Sequence, residues 1–239
     1  MKKALLTLAI ITVAAVAARA DVISAWDVSG HGSPADNPLN ATSTSLISNT
    51  PGLARTTIVG SSTTNSFNSN TWNLTNTFAQ GTNYFNFTIT ASTDITLTDL
   101  QFAMNGSNTA PRNGVWGYST NGGTSFVLGD GTGLAGFGTG GNPQLANATP
   151  GGLATWDFTD FNVSSGSTVE FRFWAFGTQG INANGTTASA AAGSIRVANI
   201  AGNDLVLNGF GVVVPEPATL GLLGLGLAGV VAFARRRKA

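Results

Sequence analysis

The stretch YFNFTIT, residues 84–90, alternates apolar and polar side chains along its whole length. Successive side chains of a β-strand point to opposite faces, so Phe85, Phe87 and Ile89 share one face and the polar residues between them share the other. The stretch therefore predicts a half-buried β-strand.

A second stretch with the same alternation lies near residue 170. Its apolar positions are Val169, Phe171, Phe173 and Ala175, and they oppose Glu170, Arg172 and Trp174. Residues 95–98 alternate too, but the apolar face then changes phase and continues at Leu100, Phe102 and Met104. A phase change inside a strand pattern predicts a bulge or a bend between two strands.

Further strand patterns fill much of the remaining chain. They lie at residues 22–28, 116–119, 125–128, 153–158, 195–197 and 205–207, and the polar segment 29–69 carries one strand near residues 53–59. The connections are rich in Gly, Asn, Ser and Thr, which are turn-forming residues. No stretch between the two termini has helical periodicity, so we predict an all-β fold with a single jelly-roll-like β-sandwich.

The N-terminus reads as a secretory signal peptide. Lys2 and Lys3 precede an apolar run, and Ala18-Arg19-Ala20 ends it with a small-residue cleavage pattern. We expect cleavage after Ala20, so that residues 1–20 are the signal peptide and Asp21 to Val214 form the exported ectodomain.

The C-terminus, residues 215–239, has three parts in a fixed order. Pro215, Glu216 and Pro217 come first, and an uncharged stretch from Ala218 to Ala234 follows. The chain closes with a basic cluster, Arg235, Arg236, Arg237 and Lys238. A helix over the uncharged stretch would just cross a bilayer core, which takes roughly 17–25 residues. Because basic residues beside a span resist translocation, we expect the basic cluster to stay in the cytoplasm.

This tail resembles the PEP-CTERM sorting signal of Gram-negative, biofilm-forming bacteria. The resemblance implies that an exosortase, a membrane protease-transpeptidase, reads the Pro-Glu-Pro triplet and releases or transfers the protein. It implies a membrane-anchored precursor followed by a cell-surface or extracellular protein. The ectodomain itself is similar to a domain of PEP-CTERM proteins from Planctomycetes and Verrucomicrobia, through stretches such as SFNSNTW (residues 66–72) and YSTNGG (residues 118–123).

The composition of the ectodomain excludes some partners. Residues 21–214 contain four arginines, no lysine and ten acidic residues, which gives a net charge of −6. Such a surface should bind neither nucleic acid nor anionic lipid. The chain has no cysteine, so the exported domain must be stable without disulfides.

Three patterns invite an enzymatic interpretation. GTGLAG (residues 131–136) matches a dinucleotide-binding fingerprint, but no helix pattern follows it. His31 is the single histidine of the chain, and the sequence has no nucleophile elbow to go with it. Asp157, Asp160 and Glu170 could supply a glycosidase acid and nucleophile, but turn chemistry for the two aspartates and an exposed strand position for Glu170 explain them without catalysis.

Metal and carbohydrate sites are the remaining options. One His and no Cys cannot supply the four nitrogen or sulfur ligands of a structural zinc site, whereas loops that carry Asp36 or Asp130 could hold a structural Ca²⁺. Trp72, Trp116 and Trp174 fall outside the clearest inward faces, so an exposed indole among them could stack on a sugar ring. The alternative for all three is core packing.

We therefore expect an exported, non-enzymatic protein of the cell surface or extracellular matrix, without a cofactor. Its expected partners are an exosortase-like membrane protease, the membrane during anchoring, and exopolysaccharide in a biofilm. The alternative is a carbohydrate-binding module for exopolysaccharide, and an exported glycoside hydrolase comes third. An exposed aromatic row would favour binding, and two carboxylates about 5–10 Å apart in a cleft would favour the enzyme.

Overall fold

The computed structural model describes residues 21–76, 78–129, 145, 151–181 and 187–211. Within these ranges every regular element is a β-strand, which confirms the predicted all-β class. The predicted signal peptide (1–20), membrane span (218–234) and basic tail (235–238) lie outside the described residues.

Fifteen strands, numbered in chain order, lie in these ranges. They are β1 (Asp21–Trp26), β2 (Leu39–Asn40), β3 (Ser43–Thr44), β4 (Gly52–Thr56), β5 (Val59–Gly60), β6 (Ser66–Asn70), β7 (Tyr84–Thr90), β8 (Ile95–Phe102), β9 (Met104–Gly106), β10 (Pro111–Ser119), β11 (Val127–Leu128), β12 (Ala154–Val163), β13 (Thr168–Gly180), β14 (Ile195–Ala198) and β15 (Leu205–Gly211).

The strands form three antiparallel sheets. Sheet I has the order β12-β8-β15-β1-β3, sheet II the order β11-β10-β13-β7-β4-β2, and sheet III the order β5-β6-β14-β9. Eight of these strands build a jelly roll, namely β1, β7, β8, β10, β11, β12, β13 and β15. If these eight are renumbered 1 to 8 in chain order, sheet I contains the order 1-8-3-6 and sheet II the order 2-7-4-5, which is the strand order of a jelly roll. The predicted jelly-roll-like sandwich is confirmed, and short strands extend it at its edges.

Sheets I and III cover the same face of sheet II. From sheet I, Trp26 lies with its ring centroid 4.5 Å from that of Phe87 in sheet II. From sheet III, Phe67 lies 5.2 Å from Phe85, which belongs to the same strand as Phe87. One apolar core therefore fills the space between two layers, and tilted aromatic pairs within it each add about 0.5–1.5 kcal/mol beyond their burial.

The two strongest alternating stretches form the middle of sheet II. Phe85, Phe87 and Ile89 of β7 are at most 1 % exposed, and so are the inward residues of β13. The two strands pair directly, with Phe171 opposite Phe87. The predicted inward faces of both strands are therefore confirmed.

The predicted phase change is a bulge in β8. Leu97 pairs with Gly209 of β15 and Asp99 pairs with Asn208, so Thr98 is an extra residue on β8. Beyond Ala103 the chain continues as β9 in sheet III. The bulge explains why the apolar face changes phase between Leu97 and Leu100.

The polar segment 29–69 differs from its prediction. In place of one strand near residues 53–59 it contains β2, β3, β4 and β5 and the start of β6. Two of these strands, β2 and β4, extend sheet II beyond β7, and β3 extends sheet I beyond β1. Strands of two residues carry no periodicity, so no alternation could have indicated them.

Candidate functional site

The residues predicted to direct sorting lie outside the described ranges. They are Pro215, Glu216 and Pro217, with the basic cluster Arg235, Arg236, Arg237 and Lys238. In the part of the chain that the structure describes, no helix is long and apolar enough to cross a membrane. The sites described below therefore belong to the β-sandwich.

Trp72 and Trp116, two of the three proposed sugar contacts, lie in the core and are each 3 % exposed. The indole N–H of Trp72 donates to the Ser69 carbonyl at 2.8 Å. Trp116 pairs with Phe173 across β10 and β13, which places both on the inner face, with their rings 5.3 Å apart. The burial of these two indoles agrees with the core-packing alternative, and neither offers a free face to a sugar.

Trp174 points to the outer face of sheet II, as predicted, but it is only 2 % exposed. Phe78 and Phe126 meet its ring edge-on at 5.3 Å and 5.0 Å, and its indole N–H donates to the Gln80 carbonyl at 3.2 Å. Together with Tyr84, Val115 and Phe176 these residues form a second apolar cluster. The loops before β7 and before β11 thus cover the outer face that would otherwise have carried an aromatic binding row.

Glu170, a candidate glycosidase carboxylate, is bound to Arg172 on the same strand. Arg172 donates from Nε to Oε1 at 2.6 Å and from Nη2 to Oε2 at 2.9 Å. The guanidinium also lies 4.3 Å from the centre of the Tyr84 ring and 4.6 Å from that of Phe126. Both side chains are 14 % exposed, so this carboxylate is engaged in holding the outer cluster together.

Replacing Glu170 by Gln should lower the free energy of unfolding by about 1–2 kcal/mol, because two charge-assisted hydrogen bonds in a largely buried pair are weakened. Urea denaturation measures the change. Asp157→Asn is the matched control, since Asp157 is exposed and its replacement should cost less than about 0.5 kcal/mol. Equal stability of the Glu170 variant and the unmodified protein would contradict the structural role.

Asp157 and Asp160 lie within β12 beside its irregular pairing with β8, and not at a strand end as turn chemistry would place them. Both are exposed. Asp157 lies directly opposite Asp99, whose carboxylate accepts hydrogen bonds from Thr98, Gln101 and Asn208. The carboxylate of Asp99 is therefore engaged in side-chain hydrogen bonds on the outer face of sheet I.

His31 contacts a carboxylate that organises its own loop. Its Nδ1 lies 3.6 Å from Oδ2 of Asp36, and the same oxygen accepts the N–H groups of Gly32 and Ser33 at 3.0 Å each. These backbone donors, helped by His31, lower the pKa of Asp36. In the described ranges no serine hydroxyl is hydrogen-bonded to His31, and no three His, Cys, Asp or Glu side chains gather as a metal site would require. Asp130, the other proposed Ca²⁺ ligand, lies outside those ranges.

Arg55 was not singled out in the sequence, yet its side chain is buried. Its Nε donates to the Ser69 hydroxyl at 2.8 Å, one Nη donates to the Asp36 carbonyl at 2.8 Å, and the guanidinium lies 3.7 Å from the centre of the Phe67 ring. Burial lowers the pKa of Arg55 to about 10. Leu53 and Arg55 share one face of β4. No feature of the neighbouring sequence indicates that the guanidinium of Arg55 is buried on that face.

A polar cavity lies on the outer face of sheet III. Arg196 on β14 pairs with Asn68 on β6 and with Asn105 on β9, so the three side chains form one row across the sheet. The cavity has a volume of about 290 Å³ and is lined by Thr63, Thr64, Asn65, Asn105, Arg196, Ala198 and Asn199. Sequence reasoning missed this cavity because its residues come from three distant segments.

Comparison with known proteins identifies the tail. Residues 213–238 match the family model of the PEP-CTERM protein-sorting motif. No curated protein and no solved structure matches the chain. The motif is that of an exported protein with a membrane-anchored precursor. An exosortase, which is a membrane protease, processes this precursor.

Proposed function

We propose that the ectodomain is a non-catalytic structural protein of the cell surface or extracellular matrix, associated with exopolysaccharide in a biofilm. The sorting motif at residues 213–238 is the observation that supports this proposal. A protein that is exported and then released from its anchor functions outside the cytoplasmic membrane.

The contacts of one candidate catalytic carboxylate also support a structural role. Glu170 is held by Arg172, whereas Asp157 and Asp160 are exposed on β12. A carboxylate occupied as Glu170 is cannot readily protonate a leaving group or attack a sugar carbon.

Carbohydrate binding without catalysis is the second candidate. The three tryptophans no longer favour it, but the polar cavity beside Arg196 does, because it is open and uses none of the aromatic residues of the core. A protein that binds matrix polysaccharide through such a cavity would still be a structural component of that matrix.

Fractionation of the cells that make this protein tests the proposal. We expect the tail-free protein in the extracellular matrix fraction, and we expect it to move to the soluble fraction when the polysaccharide is digested. The purified protein should release no reducing sugar from that polysaccharide. Release of reducing sugar would make the protein a hydrolase, and recovery only from the cytoplasmic membrane would remove the matrix role.

The orientation of the precursor gives a further expected result. A reporter that works only in the periplasm should be active when fused at Val214 and inactive when fused after Lys238. The reason is that four cations follow the predicted span, whereas no Lys or Arg occurs in the 15 residues before it. Activity of the second fusion alone would reverse the topology.

A further inference from the structure

The cavity on sheet III contains a cation without a counter-charge. Nε of Arg196 donates to Oδ1 of Asn105 at 2.6 Å, and in the described ranges neither terminal nitrogen of its guanidinium has a protein partner. Nor does Arg196 form an ion pair there, since the two pairs found involve His31 with Asp36 and Arg172 with Glu170. The free end of the guanidinium is thus available to an anion from outside.

A second unpaired donor lies beside the guanidinium. Asn105 lines the cavity and is 1 % exposed, and its Nδ2 has no hydrogen-bond partner. Its amide orientation is fixed, because Oδ1 accepts from Arg196. Buried donors nearly always have a partner, so Nδ2 of Asn105 is open to an oxygen from solvent or a ligand, just as Oδ1 of Asn68 in the same row is open to a donor.

The rim of the cavity is held by polar contacts. Asn68 donates from Nδ2 to the Thr63 hydroxyl at 2.8 Å, and Asn65 accepts the Gly30 N–H at 2.9 Å. These contacts fix the loop of residues 61–65 over one side of the arginine. Thr64 lines the cavity and is exposed, so it lies at the mouth.

We propose that this cavity binds the carboxylate of an acidic sugar, a hexuronate unit. A guanidinium recognises a carboxylate through two parallel hydrogen bonds, and the amide and threonine hydroxyls suit the ring hydroxyls of the same unit. The volume of about 290 Å³ lies just below the range of small-molecule sites, about 300 to 1,000 Å³. One sugar residue is therefore the unit that it takes.

This inference rests on the proposed function only for the source of the sugar, a matrix polysaccharide. Its own test uses free monosaccharides and is independent of where the protein is found in the cell. A failed fractionation experiment and a failed binding experiment can therefore be told apart.

The test is titration calorimetry on the full-length chain in detergent. The probes are galacturonic acid, galactose, which carries a hydroxymethyl group in place of the carboxylate, and sodium sulfate. We expect galacturonic acid to bind at least about tenfold more tightly than galactose, which is the scale of a charge-assisted hydrogen bond. Equal binding of the two sugars, no binding of galacturonic acid, or equally tight binding of sulfate would each overturn the proposal.

Two variants link the binding to the cavity. Arg196→Gln should weaken galacturonic acid about tenfold or more, and its folding is checked by thermal unfolding. Thr64→Glu places a carboxylate at the mouth on an exposed loop, so it should weaken binding without touching the fold. Thr93→Glu, on the exposed turn between β7 and β8, is the matched control and should bind normally. Unchanged binding by the Thr64 variant would place the sugar elsewhere and overturn the site.

Discussion

Alanine in place of Asp204 should lower the free energy of unfolding by about 2–4 kcal/mol, the scale for leaving one buried and one partly buried backbone donor unsatisfied. Asp204 is completely buried. Its Oδ2 accepts the N–H of Val28 at 2.8 Å and its Oδ1 accepts the N–H of Ile200 at 2.7 Å. These bonds tie the segment after β1 to the loop before β15, so their loss opens one end of sheet I.

Urea denaturation at neutral pH measures this loss. Asp27→Ala is the matched control, because Asp27 accepts one backbone N–H, that of Ser29, at 2.7 Å in an exposed contact. We expect the control to lose less than about 1 kcal/mol. Equal losses of unfolding free energy in the two variants would show that the burial of Asp204 does not increase the contribution of its hydrogen bonds to stability.

The pH dependence of Asp204 and Asp36 should have opposite signs. Burial raises the pKa of Asp204 above its ordinary value of 3.8, so the folded protein holds this proton more tightly than the unfolded chain. Its contribution to stability is greatest below that ordinary value and falls as pH rises through the raised pKa. The backbone N–H groups of Gly32 and Ser33 lower the pKa of Asp36, so its contribution is lost as pH falls.

The strands of the central sheet could be predicted because their alternation is strong and local. In β7, and in β13 up to Ala175, every inward position carries Phe, Ile, Val or Ala, and period-two burial leaves a pattern that a single strand shows by itself. The same reasoning located the bulge in β8, because an inserted residue moves the apolar positions by one.

The positions of the tryptophans could not be predicted, and glycine explains why for Trp116. In β10 the inward position before Trp116 is Gly114, where a β-carbon would approach the Phe173 ring to 2.7 Å. The Phe173 ring can approach this closely only because residue 114 is glycine. Because glycine has no apolar side chain, the strand lacks the alternation that would have predicted an inward position for Trp116. For Trp174 the face was predicted correctly, but its covering by Phe78 and Phe126 depends on loop conformations that sequence periodicity does not describe.

The cavity beside Arg196 illustrates the same limit for a candidate site. Asn68, Asn105 and Arg196 meet only because β6, β14 and β9 pair in one register. A shift of one residue in either pairing would move a member of the row to the other face. The sorting tail is the opposite case, since its three parts are contiguous and can be read directly from residues 215–238.

Changing the Pro-Glu-Pro triplet should leave most of the exported chain with its tail attached. Pro215 and Pro217 lack backbone N–H groups and resist both helix and strand pairing, so the sequence predicts an extended, accessible strip for the protease to read. Glu216 is the only acidic residue among residues 215–239. Placed where the chain leaves the predicted span, its carboxylate stays hydrated and can meet a cationic recognition site on the exosortase.

Intact-mass measurement of the exported protein decides this prediction. The unmodified protein should lack the span, residues 218–234, whereas Glu216→Ala, or alanine at both Pro215 and Pro217, should retain it in the cytoplasmic membrane. Asp204→Asn is a useful comparison, because it alters the stability of the sandwich and leaves the triplet intact, so its tail should still be removed. A tail that persists in fully exported, unmodified protein would show that residues 218–239 are a permanent anchor, because a processed sorting signal cannot remain on the mature chain.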